Sequence, residues 1–104
     1  MTTISIVYSK NGTICGFDIS GHAGYSEAGS DIVCAAVSAL SQTTLLGLLK
    51  YAPKDTTYTV DEESGSLTVR VSQSSPIIEA LLETLTLGLE EIARQYPTYV
   101  VLHS

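Results

Sequence analysis

From Ile32 to Leu49 the chain carries no charged side chain, and an uncharged stretch of that length needs an apolar cover. A bilayer is one candidate and a protein core is the other. Ser38, Ser41, Gln42, Thr43 and Thr44 lie inside the run, an expensive set of polar groups for a lipid-facing span. The run is therefore expected to be a buried helix from Asp31 to about Tyr51, capped by Ser30 or Asp31 and stopped before Pro53. Ala35, Ala36 and Ala39 would let it approach a sheet closely. No membrane is expected as a partner.

The rest of the chain supplies such a sheet. Thr2 to Tyr8 alternates apolar and polar residues, Lys10-Asn11-Gly12 suits a tight turn, and Thr13 to Ser20 alternates again with Cys15, Phe17 and Ile19 in phase. This predicts a β-hairpin. Thr56 to Asp61 and Leu67 to Ser72 predict a second, turning at Glu62-Glu63-Ser64-Gly65, with Tyr58, Val60, Leu67, Val69 and Val71 as core candidates. Ser75-Pro76 then opens a second helix, in which Ile78, Leu81, Leu82, Leu85, Leu89 and Ile92 recur at helical spacing. After Pro97, Thr98 to Leu102 can add a short strand. The expected order is ββαββαβ: one α+β domain over 1–104, a single sheet of about five strands with two helices.

Composition narrows the function. With 44% hydrophobic and 15% charged residues among 104, the chain is a globular domain rather than a disordered segment. Its formal charge of -6, with no basic stripe, disfavours nucleic acid and suits a basic protein or peptide. Two cysteines, Cys15 and Cys34, form no CxxC pair or Cys/His cluster, so neither a disulfide framework, a structural metal nor a cofactor is expected. Met1-Thr2-Thr3-Ile4-Ser5 does not resemble a signal peptide, and a cytoplasmic location is expected.

Two residues suggest chemistry. A thiol attacks as its thiolate, so a reactive cysteine needs a helix N-terminus or a histidine to lower its pKa from about 8.5. Cys34 would sit in or beside the first turn of the uncharged helix, and His22 stands at the exit of the second strand, joined to it by a loop. Against this, a cysteine in an apolar helix is ordinarily a small core residue, and both readings stand on spacing alone. Cys15, in phase with Phe17 and Ile19, reads as inert core, and His103 as part of a solvated tail. Asp31 is either a helix cap or first-turn acid, or a carboxylate that orients His22. Ser38, one turn after Cys34, can line a site or bond back to its helix. Gly21, Gly24 and Gly29, with Tyr25 between them, predict a mobile loop from Gly21 to Ser30 able to close over a peptide. As a phosphate cradle the loop fails, having no Lys or Arg and no P-loop spacing.

The run GHAGYSEAGSDIVCAAVSAL, Gly21 to Leu40, resembles the signature of the ribosomal-processing cysteine protease family Prp, and the length and element order agree. The resemblance implies that His22 and Cys34 form a catalytic dyad and that Asp31 and Ser38 occupy further signature positions. It also implies cleavage of a short N-terminal extension from the bacterial large-subunit ribosomal protein numbered twenty-seven, and a homodimer. The uncharged helix, with no charged face to show to water, points to a dimer as well. A noncatalytic ribosome-assembly or peptide-binding module is the alternative, given the small acidic domain.

Overall fold

The computed structural model describes residues 1–21 and 28–104, with the backbone only over 28–31. The two alternating segments form the expected hairpin, β1 (Thr2–Tyr8) and β2 (Ile14–Ser20). The helix α1 (Ala28–Tyr51) leads to a second hairpin, β3 (Thr56–Asp61) and β4 (Ser66–Val71). Then come α2 (Pro76–Gln95) and β5 (Val100–His103). The single sheet has the order β3-β4-β2-β1-β5, with β5 parallel to β1 and the other neighbours antiparallel. This is the α+β arrangement expected from the sequence.

Alternation decides which face is covered. Thr2, Ile4 and Ile6 of β1 are buried while Thr3, Ser5 and Val7 are only partly so, and Phe17 and Ile19 of β2 join the same core. Registered pairs carry an apolar row across all five strands: Leu102, Ile4, Ile19, Leu67 and Val60. Val33, Val37, Leu45 and Leu48 of α1, with Ile78, Leu82, Leu85 and Leu89 of α2, complete the core. The helices pack closely through two small residues, Gly88 against Leu40 and Gly47 against Leu81. Ser75 caps α2, its Oγ accepting the Ile78 N–H at 3.2 Å.

Five expectations need correction. First, α1 begins at Ala28 rather than at Ser30 or Asp31, so neither is its cap and the expected Gly21–Ser30 loop ends earlier. Second, Ala35, Ala36 and Ala39 face outward; larger side chains, Val33 and Val37, touch the sheet because their spacing of four matches the covered stripe. Third, α1 is buried on one side only: of the window from Ile32 to Tyr51, long and apolar enough to cross a membrane, 28% is buried. Fourth, Tyr58 and Val60 point to the covered face but are 51% and 55% exposed, because β3 is the sheet edge and lies beyond the helices' cover. The last strand also starts two residues later than expected, after a turn in which Tyr99 and Val100 N–H groups donate to the Tyr96 carbonyl.

β2 ends against the start of β1. Gly21 has φ of 118°, a conformation available to glycine and strained for other residues, and a Cβ there would lie 2.3 Å from the Met1 carbonyl oxygen and 2.9 Å from Thr2 Cα. Gly21→Ala is expected to destabilise the protein by roughly 1–3 kcal/mol in urea unfolding, the ordinary cost of one strained backbone position, with further loss from the clash.

Candidate active site

Cys34 is the seventh residue of α1 and therefore stands in its second turn, half-buried. The N–H groups without intrahelical acceptors belong to residues 28–31, one turn before it. A helical Cβ tilts toward the N-terminus, so the thiol leans back toward those donors, yet the dipole fades within the first turn and cannot be its main support. A second support is present. Thr2 Oγ1 lies 3.0 Å from Cys34 Sγ, and either atom can donate while the sulfur is protonated. Once the sulfur is a thiolate, only the hydroxyl has a proton to give, and the hydrogen bond becomes charge-assisted.

Thr2 is well held for this task. It is 3% exposed, its N–H donates to the Tyr99 carbonyl at 2.9 Å, and its Cα pairs with Val100 across the β1–β5 ladder. Sequence reasoning missed it. The available signal was a hydroxyl residue in the apolar phase of β1, shared with Ile4 and Ile6.

The other expected residues divide by position. Gly21 packs on Met1 and Thr2, so the chain leaves β2 next to the residue that holds Cys34. His22, Gly24 and Tyr25 lie outside the described residues. Gly29 and Asp31 belong to the first turn of α1, and Ser38 is exposed one turn beyond Cys34, at the end of a cleft lined by α1 and the β3–β4 hairpin. Cys15 is half-buried against the core as expected, beside the irregularity where the β1–β2 register shifts. His103 is exposed but is not a loose tail: it ends β5, paired with Ser5. Among the described residues no group of His, Cys, Asp and Glu could hold a metal ion.

A half-buried thiol near a helix start, held by a buried hydroxyl, can serve as a nucleophile. The family model for cysteine protease Prp matches residues 1–101. The chain belongs to the Prp family and is a cysteine protease. The ribosomal processing cysteine protease Prp of Staphylococcus aureus (strain Mu50) is 31% identical over 100 residues, 92% of each chain. The crystal structure of the S. aureus essential ribosomal processing protease Prp with a covalently linked product peptide matches with a TM-score of 0.85 and 25% identity, covering 99% of this chain and 98% of that one. The crystal structure of SMU.848 from Streptococcus mutans matches with a TM-score of 0.85 and 30% identity, covering 99% and 92%.

The Thr2 contact generates a prediction. Thr2→Val keeps the shape and removes the donor, so iodoacetamide alkylation of Cys34 at neutral pH should slow about three- to tenfold. Thr2→Ser should restore most of the rate.

Proposed function

We propose that this protease removes the N-terminal extension of the bacterial large-subunit ribosomal protein numbered twenty-seven, with Cys34 as nucleophile and His22 as general base. The observation that carries the dyad is a short chain of contacts. Gly21, covalently next to His22, packs on Thr2, and Thr2 is hydrogen-bonded to Cys34. Membership of a ribosomal processing family, and a relative seen with a covalently linked product peptide, support the reaction and the substrate class.

In this mechanism His22 takes the Cys34 proton and the thiolate attacks the scissile carbonyl carbon, forming a C–S bond while the carbonyl electron pair moves onto oxygen. Backbone N–H groups of the first turn of α1, ahead of the sulfur rather than around it, are the nearest helix donors for that oxyanion. As the C–N bond breaks, His22 protonates the leaving amine, and water then hydrolyses the thioester. Asp31, three residues before Cys34 in the first turn of α1, orients His22 in this scheme. The glycine-rich segment from Gly21 through Gly24, Tyr25 and Gly29 covers the bound peptide.

The enzyme acts in the cytoplasm, where ribosomal proteins are made, and its charge of -6 attracts a basic substrate. It works as a homodimer. The support is the outward side of α1 and its neighbour: Ile32 is 70% exposed and Leu87 68%. Membership of a cysteine protease family sets aside the noncatalytic binding module that the small acidic domain had suggested.

Cys34→Ala and His22→Ala should each lower processing of the ribosomal protein at least a thousandfold, about the share of rate that a nucleophile or base supplies. Unchanged processing by Cys34→Ala would sink the assignment. Sedimentation at micromolar concentration should show a dimer that Leu87→Asp converts to monomer; a native protein that sediments only as monomer would rule the dimer out.

A further inference from the structure

We infer that Asn11 is a deamidation site that the fold keeps latent: the β1–β2 turn holds it in an unreactive geometry, and opening of the hairpin releases it.

Asn11 is the chain's only asparagine, it is exposed to water, and Gly12 follows it. Such a pair cyclises spontaneously when free to move, because glycine presents a main-chain nitrogen with no side chain beside it. The Gly12 nitrogen gives its proton to solvent and attacks Asn11 Cγ. An N–C bond forms, the bond from Cγ to the side-chain nitrogen breaks, and ammonia leaves after taking a proton from solvent. The five-membered succinimide then takes up one water molecule. Opening at one carbonyl leaves an aspartate, and opening at the other an isoaspartate, in which the main chain runs through the former side chain.

The folded turn blocks the first of these steps. Gly12 N–H donates to the Ser9 carbonyl at 3.0 Å and Ser9 N–H donates to the Thr13 carbonyl at 2.8 Å, while Gly12 has φ of 87°. This is a type I turn closed by a left-handed glycine, and it places Asn11 at the position where ψ is about 0°. A tetrahedral Cα sets Cβ about 120° away from its own nitrogen around the Cα–C bond, so Cβ and the Gly12 nitrogen are far from the coplanar arrangement of the ring. Cyclisation requires that rotation, and the rotation breaks the Gly12–Ser9 bond. The proton that must be lost is the one held in the same bond.

The side chain is fixed as well. Asn11 Oδ1 accepts from the Ser9 hydroxyl, from the Thr13 hydroxyl at 3.0 Å and from the Thr13 N–H at 3.4 Å. These donors polarise the Cγ carbonyl, which on its own favours attack. Polarisation gains nothing for a nucleophile held at the wrong angle, so geometry decides the sign. A turn at the end of a sheet opens at lower free energy than the core, and the reaction proceeds through that open population.

The isoaspartate product turns opening into permanent damage. Its main chain is one carbon longer, so the bonds from Ser9 to Gly12 and Thr13 cannot both re-form. Those bonds set the register of β1 on β2, which already shifts between Val7 and Tyr8.

The full-length protein, incubated at mildly alkaline pH in native buffer and in urea beyond its unfolding midpoint, tests this. Peptide mapping by mass spectrometry follows the gain from replacing NH2 by OH. Residue 11 should convert in urea, and at least about tenfold more slowly in the native protein. Ser9→Ala combined with Thr13→Val, shown to be folded by circular dichroism, should speed native conversion at least about threefold and leave the rate in urea little changed. On return to native buffer, isoaspartate should be depleted in the refolded fraction. Equal rates in native buffer and in urea, or no conversion in urea, overturn the inference. A gain that persists in Asn11→Asp places the chemistry at a glutamine and overturns it too, as does a refolded fraction as rich in isoaspartate as the starting mixture. None of these measurements uses cleavage, so either outcome leaves the peptidase reading untouched.

Discussion

A sheet that is apolar on one face only must be covered on that face, and the coverage available here is two helices for five strands. α1 and α2 bury Ile4, Ile6, Phe17, Ile19, Val69 and Val100, which accounts for the middle of the sheet and its β5 side. They reach β3 only at its first residue, Thr56, whose hydroxyl donates to the Leu48 carbonyl at 3.5 Å, and leave the rest of that strand uncovered. The uncovered remainder, with Val60 at its edge, becomes the wall of a cleft rather than part of the core. A limited amount of helix thus produces both a stable fold and a concave surface.

The Cys34 sulfur sits where three chain segments meet. β1 starts there, β2 ends there, and α1 begins close by, so Thr2, Gly21 and Cys34 become neighbours although they are far apart in sequence. The strands fix Thr2 through the Tyr99 carbonyl and the parallel ladder to β5, and Thr2 in turn restrains the thiol. Rigid elements on either side are a better support for a nucleophile than a loop would be. The entry to the glycine-rich segment is anchored by the close packing of Gly21 on Met1 and Thr2.

α1 performs separate tasks on separate sides. Val33, Val37, Leu45 and Leu48 hold it to the sheet, Ser38, Gln42 and Leu46 border the cleft, and Ile32, Ala35, Ala36 and Ala39 face outward. This is why the helix lacks charge from Ile32 to Leu49 without being buried all round. Uncharged composition alone does not distinguish a core side from an apolar surface, since both exclude Lys and Glu.

Strand alternation, the turn at Lys10-Asn11-Gly12, the cap at Ser75 and the spacing of Ile78, Leu82, Leu85 and Leu89 are local properties, and the sequence by itself determined element order and fold class through them. For Cys34 its surroundings left a nucleophile and a small core residue both open, and the resemblance of Gly21 to Leu40 to the family signature carried the choice. Where α1 starts, which of its sides touches the sheet, and the exposure of Tyr58 and Val60 were decided only by the tertiary structure. Those properties depend on how far two helices extend across five strands, a matter of three-dimensional coverage that no window of sequence contains. The same holds for Thr2, whose hydroxyl meets Cys34 only because a parallel strand pairing brings the first residues of the chain beneath the helix.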